Sequence, residues 1–295
     1  MKNKIKIAVS ILLVAMVFVS GCAAQPTSSN GAISSENTTE AYIASAKAKL
    51  EATSNFESDF YAEVQMGGES GKTVSNAKVE MVLEPLVVGI KMQDSYGQDT
   101  LSSQLYLEKV DDAVNMYMAY DGQWTEMTLD EKNAMKSIGI YDAAKDMGLL
   151  LASGEKWEQV SSTNGVITIT GEVPAQKVYD ISEAGCFLQL AGMNGVDQSY
   201  YTGVGAVPFE IQIKEDGTPV AFSVDFADAL ETVMNHVLVE LGQESDETIS
   251  VEKYLIRQNI LKINEIKKVD IPTEARSAIN YEKEISLLES SSSLQ

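Results

Sequence analysis

The chain has 295 residues, 44% of them hydrophobic, with 43 Asp and Glu against 22 Lys and Arg and a formal net charge of −21. So acidic a chain lacks the basic footprint that nucleic acid requires, and it does not favour direct adhesion to anionic headgroups. The charge reads instead as a solvated, solubilising surface.

The first elements sit at the N-terminus. Lys2, Lys4 and Lys6 precede an apolar run from Ile7 to Val19 broken only by Ser10, and Ser20-Gly21-Cys22 follows. Positive end, short apolar core and small residues at the cut are the three parts of a secretory signal. The core falls short of the roughly 20 apolar residues that a spanning helix needs. The small-small-Cys ending resembles the lipobox of bacterial lipoproteins. In that family the cysteine thiol receives a diacylglyceryl group and becomes the mature N-terminus, because the thiolate is the nucleophile. Two acyl chains of the palmitate class anchor far more firmly than one. The alternative is an ordinary secreted protein cut near a cysteine. With the signal removed, three lysines go with it and the charge falls from −21 to −24. Residues 23 to 40 are Ser, Thr, Asn, Gly, Ala and Gln around Pro26, without apolar period, and read as a tether. The expected organisation is a signal peptide over 1–21, a lipidated flexible tether over 22–40, one folded domain over 41–280 and a tail over 281–295. With Cys22 assigned to lipid, Cys186 stands unpaired and the fold must rest on its core alone.

Ala41 to Thr53 has helical composition, with Ile43, Ala46 and Leu50 on one side. From Phe56 to Met66 the period is two, a strand. Gly67 to Gly71 is a turn. A second strand runs through Val79, Met81 and Leu83, Pro85 ends it, and Leu86 to Met92 makes a third. Leu101–Val110, Val114–Tyr120 and Gln123–Met127 follow. Asp121-Gly122, Asn164-Gly165 and Asp216-Gly217 each sit between alternating runs; both residues of such pairs tolerate positive φ, the strongest short hairpin signal. Trp157–Ser161 therefore pairs with Val166–Val173, and Phe209–Lys214 with Val220–Phe226. Thr128–Ala152 predicts a helix with a capping box at Thr128 and Glu131. Ala175–Met193 and Ala227–Leu241 predict two more. Tyr254–Val269 predicts a last strand, followed by Ile271-Pro272 and a short helix.

One face of these strands is rich in Met and Val; the other still holds Tyr61, Val82, Tyr106 and Tyr117, so the alternation is only partly clean. The expected fold is α+β: a curved antiparallel half-barrel sheet with helices packed on its concave face.

Four stretches carry a resemblance: Leu50 to Phe56, Val79 to Leu86, Met116 to Trp124, and Asn264-Glu265-Ile266 with Val269 to Pro272. Together they resemble a family of Gram-positive lipoproteins, the DUF6612 type, which in turn looks like the half-barrel lipid carriers of the LolA/LppX superfamily. The resemblance spans about Ala41 to Ile279, and its motifs are structural rather than catalytic. It implies a curved sheet whose hollow is plugged by helices, with an apolar cavity between them that holds acyl chains.

The search for chemistry yields little. Gly67 to Thr73 imitates a phosphate loop, but Met66 stands where the first Gly belongs and a strand pattern follows instead of a helix. No nucleotide is expected. His236 is the single histidine, so paired-histidine metal sites are ruled out, and no Gly-x-Ser-x-Gly elbow accompanies it. Cys186 has apolar neighbours and reads as an inert thiol. No cofactor, no metal and no enzymatic activity are expected.

The feature with functional pull is a stripe of Val79, Met81, Leu83, Leu105, Leu107, Val114, Met116 and Met118. Methionine adapts to varied apolar partners. The stripe reads either as plain core or as the lining of a ligand cavity. The expectation is a lipid-anchored protein on the extracytoplasmic face of the cell membrane that binds or carries a hydrophobic ligand such as a lipid. The alternative is an envelope scaffold or sensor that works through protein contacts and has no cavity.

Overall fold

The computed structural model describes residues 38–68, 71–242 and 248–280. Cys22, the expected signal peptide, most of the expected tether and the expected tail lie outside the described residues. The chain enters through α1 (Thr39–Glu51), which begins within the expected tether; the Thr38 hydroxyl accepts from the Ala41 N–H and caps it.

A meander of six strands follows: β1 (Asn55–Met66), β2 (Lys72–Leu83), β3 (Leu86–Tyr96), β4 (Asp99–Val110), β5 (Ala113–Tyr120) and β6 (Gln123–Leu129). After it come α2 (Glu131–Ser137), α3 (Ala143–Ser153), the hairpin of β7 (Glu155–Thr163) and β8 (Val166–Val173), and α4 (Val178–Gly185). The chain continues through β9 (Val207–Lys214), β10 (Pro219–Asp225), α5 (Ala227–Glu240), β11 (Val251–Ile263), α6 (Thr273–Arg276) and β12 (Ile279–Asn280).

All strands join one sheet in the order β12-β6-β5-β4-β3-β2-β1-β11-β10-β9-β8-β7. β11 inserts between β1 and β10 and so stitches the two meanders together. The two-residue β12 runs parallel to β6, and every other neighbouring pair is antiparallel. β7 and β12 end the order and do not meet, so the sheet is open.

A flat sheet of this many strands would be roughly 50 Å wide at about 4.8 Å per strand. Yet α1 touches β7, β10 and α3, while α2 reaches β5 and α3 reaches β11. One continuous apolar cluster, from Val114 and Leu107 at one side to Ile167 and Val173 at the other, is packed against these helices. The sheet therefore bends round its helical layer. The fold is α+β, a curved antiparallel half-barrel with helices on the concave face.

Two hairpins form as their sequences dictate: Asp121 and Gly122 have φ of +49° and +74°, and Asn164 and Gly165 +53° and +75°. At Asp216-Gly217 only the glycine is left-handed; the Asp216 carboxylate instead accepts from the Thr218 N–H at 2.8 Å, making a longer loop.

Three expected elements are redrawn. Thr128 belongs to β6, and Asp130 caps α2 by accepting from the Asn133 N–H at 2.9 Å. The expected long helix breaks at a 3-10 turn over Gly139–Tyr141, and Asp142 caps a fresh start at α3. The helix expected over Ala175–Met193 is shorter, because Cys186 ends α4 in the left-handed conformation. The last strand stops at Ile263. There Asn264 turns the chain at φ +59°, with its Oδ1 accepting from Ser54 N–H at 2.7 Å and its Nδ2 donating to the Ala52 carbonyl at 3.1 Å. The chain then crosses to the outer face, where Val269, Ile271 and Ala275 cover Tyr106 and Tyr117. This return explains the aromatic residues on a face that otherwise reads as polar.

Candidate functional site

Cross-strand register gathers the apolar stripe on the concave face. Met81, Val88, Leu107, Met116 and Met127 form one row from β2 to β6. Val79, Ile90, Leu105 and Met118 form the next. All eight stripe residues thus share one wall. Val79, Met81, Leu105, Leu107, Val114 and Met116 are buried, Leu83 is half-buried against the same core, and Met118 is 42% exposed.

The buried part of the wall is filled by the chain itself. Ala134, Ile138, Ile140, Met147 and Leu150 belong to the same cluster, and the Ser137 hydroxyl lies 3.9 Å from Met116 Sδ. Tyr141 closes the layer from above β3. Its hydroxyl donates to Met92 Sδ at 3.3 Å and its ring meets Phe60 edge-on at 4.8 Å. Burial, with Asp94 nearby, pushes the Tyr141 phenol up to about 12.

Beyond Tyr141 the cover stops. Tyr96, Met118, Tyr120 and Met127 are 52%, 42%, 60% and 38% exposed. All four sit on concave-face positions: Tyr96, Met118 and Tyr120 towards the end of the sheet where β3 turns into β4 and β5 into β6, and Met127 farther along the edge strand β6, beside Met116. The apolar wall therefore runs out of the core onto an open ledge, with Leu101 and Leu105 between the buried and the exposed parts.

The centre of the core holds a polar group that sequence reasoning missed. Asp146 on α3 and Gln258 on β11 are both fully buried. Gln258 Nε2 donates to Asp146 Oδ2 at 3.2 Å and to the Ile140 carbonyl at 3.0 Å. Asp146 Oδ1, Gln258 Oε1 and the nearby Ser58 Oγ have no hydrogen-bond partner among the described residues. Burial drives the Asp146 carboxyl well above the usual carboxylate range; Lys145 opposes this and Asp142 adds to it. The signal was present, since Asp146 lies on the same helical face as Ala143, Met147 and Leu150.

The other residues singled out by sequence occupy structural positions. The Cys186 thiol is buried against Gly139 and pushed up by desolvation. His236 is half-buried in α5 with Nδ1 donating to the Tyr200 carbonyl at 2.6 Å. Lys72 opens β2 and pairs with Glu63 at 3.0 Å, so no helix N-terminus follows the Gly67–Thr73 segment. Among the described residues no group of three or more His, Cys, Asp or Glu is arranged to hold a metal, and no helix is long and apolar enough to cross a membrane.

Open grooves lie elsewhere. One of about 560 Å3 crosses the outer face of β1 to β4, and one of about 530 Å3 lies between the end of α1 and β10–β11. None of the eight stripe residues lines either.

An open α+β half-barrel with an apolar concave wall is the class that fold and site define. No family model and no curated protein matches the chain. Among solved structures, the lipoprotein LppX of Mycobacterium tuberculosis is similar at 15% identity and a TM-score of 0.39, over 79% of this chain and 100% of that one. LprF of Mycobacterium bovis is similar at 10% identity and 0.43, over 80% and 98%. A β-barrel-like DUF1849 protein of Brucella abortus follows at 10% and 0.18, over 72% and 97%. These scores are low, and the architecture rests on the strand order and register given above.

Proposed function

We propose that this chain is a lipoprotein, acylated at Cys22 and held on the extracytoplasmic face of the cell membrane, that binds or carries a hydrophobic ligand such as a lipid. In this reading it binds and does no chemistry. One observation carries the ligand half: the methionine-rich wall continues from the sealed core onto the uncovered ledge of Tyr96, Met118, Tyr120 and Met127. An acyl chain laid on that ledge meets flexible, polarisable side chains that adapt to its shape. It enters along Leu101 and Leu105 by displacing the edge of the helical layer. The inner stripe, Val79, Met81, Leu107, Val114 and Met116 with the half-buried Leu83, then lines its inner end.

Mass spectrometry of lipid held non-covalently by the purified chain tests this. The expected result is bound lipid in the parent and its loss from a Met118→Asp, Met127→Asp double variant of unchanged melting temperature, since both positions are surface ones. Absence of lipid from the parent, or equal amounts in both, contradicts the reading. The anchor is tested separately. Cys22→Ala should abolish incorporation of labelled fatty acid and release the chain from the membrane fraction; a variant that still sediments with membranes refutes acylation at Cys22.

The filled core favours a second reading. Six of the eight stripe residues are buried against the chain's own side chains. In that reading the ledge receives an envelope protein and the chain acts as scaffold or sensor.

A further inference from the structure

The outer face of the sheet carries a second surface, independent of the apolar wall. Register lines up Asn259, Asp59, Lys78, Lys91, Gln104, Ala119 and Trp124 in one row across seven consecutive strands, from β11 to β6. At about 4.8 Å per strand this row is about 29 Å long. The groove of about 560 Å3 follows it from β11 to β4, and one of about 510 Å3 continues it from β4 to β6; Ser102 and Gln104 line both. The small Ala119 side chain keeps the floor low between Gln104 and Trp124.

Most polar groups in this trough are unspent; Gln104 Oε1 accepts from the Tyr106 hydroxyl at 3.3 Å, which leaves its amide N–H groups free to donate. On either side of the trough lie outward ion pairs, Glu57 with Lys262, and Glu63 with Lys72 at 3.0 Å and Lys253 at 3.2 Å, while Arg257 and Glu80 on the same face make none among the described residues. Inside it, Lys78 and Lys91 stand directly opposite one another, an unfavourable arrangement for like charges. Neither makes an ion pair among the described residues, although Asp59 faces Lys78 across β1 and β2. The side chains of Asp59, Asn76, Gln93 and Asn259 make no hydrogen bond there either.

These groups suit one ligand chemistry. A sugar hydroxyl both donates and accepts, and the amides of Asn76, Gln93, Gln104 and Asn259 do the same, while Asp59 accepts. Trp124 supplies a flat apolar surface of the kind against which a sugar ring packs. The lysine pair adds a demand for negative charge, placed on a chain whose net charge is −21. We propose that the trough binds an acidic glycan lying across the strands, with its carboxylate or phosphate group at Lys78 and Lys91 and a sugar ring against Trp124.

Calorimetric titration of the full chain in detergent micelles tests this with four probes: hexagalacturonate, pentamannosyl phosphate, neutral maltohexaose and inorganic phosphate. One of the two acidic oligosaccharides should bind more tightly than maltohexaose and than phosphate alone, and the tighter of the two identifies the anion. A Lys78→Gln, Lys91→Gln double variant should weaken that binding at least about tenfold, as loss of charge-assisted hydrogen bonds does. Its melting temperature should hold, because both side chains are exposed and unpaired. Binding by neither acidic probe, equal binding of maltohexaose, equal binding of inorganic phosphate, or an unaltered affinity in the double variant each overturns the proposal.

Discussion

Two carboxylates set the pH response from opposite sides. Asp146 is a buried acid whose proton is held well above the ordinary carboxylate range by desolvation. The folded state therefore binds that proton more tightly than the unfolded state. Its stabilising contribution is full below the unfolded pKa and falls as pH rises towards the folded one. Asp146→Asn removes the titration, and its amide supplies a donor for the unpaired Gln258 Oε1. Thermal melts should show this variant at least as stable as the parent at pH 7, with its advantage gone near pH 4. A variant that loses stability at pH 7 would mean that the carboxylate itself is required. Glu63 behaves in the opposite sense. The Tyr61 hydroxyl, which donates to it at 2.5 Å, together with Lys72 and Lys253, lowers its carboxyl to about 2. That stabilisation is full above the usual glutamate range and is lost as pH falls towards about 2. Glu63→Gln should flatten the acid limb of the stability curve, measured by urea unfolding between pH 6 and pH 2; an unchanged acid limb would show that the cluster contributes nothing.

At the scale of elements, local chemistry decides where helices stop. The apolar period running from Met135 through Ile138, Ala143 and Met147 predicts one helix, and period alone gives no reason to break it. The break comes from a tertiary contact: a Cβ on Gly139 would lie 2.5 Å from Cys186 Sγ, so the chain at Gly139 must pass close to the end of α4. Gly139→Ala should cost about 1–3 kcal/mol by overpacking, and adding Cys186→Ala should recover part of it. Denaturant midpoints of the two single variants and the double check this, and simple additivity contradicts it. The hairpins were legible because Asp-Gly and Asn-Gly carry their conformation in the residues themselves. The end of β11 was not. Tyr254 to Val269 continues to alternate, while Asn264, fastened to Ser54 and Ala52, turns the chain aside. That clamp is a contact across more than two hundred residues, which no local window contains. Asn264→Ala, which removes several hydrogen bonds at once, should cost about 1–3 kcal/mol and loosen the return segment. Hydrogen exchange at Ile266 and Ala275 measures that loosening, and unchanged protection there rules out the clamp.

Over the whole molecule, the sheet and its concave apolar face were readable because the period-two pattern and the hairpin signals agree. The stripe residues fall on one wall because register places Met81, Leu107 and Met116 in a single row. The ledge was not readable. Met118 and Met116 are the same residue type on the same face, and only the reach of the helical layer makes one exposed and the other buried. The outer trough was hidden for a related reason: Lys78 and Lys91 are thirteen positions apart and meet only through the β2–β3 register.

That the ledge is the way in for a hydrophobic ligand is the central claim. Photo-crosslinking with a diazirine-bearing fatty acid, followed by peptide mapping, tests it most directly. Saturable labelling concentrated on β4 to β6, between Leu101 and Met127, and competed away by unlabelled fatty acid is the expected result. Labelling that does not saturate, or that falls mainly on the outer face, would contradict it.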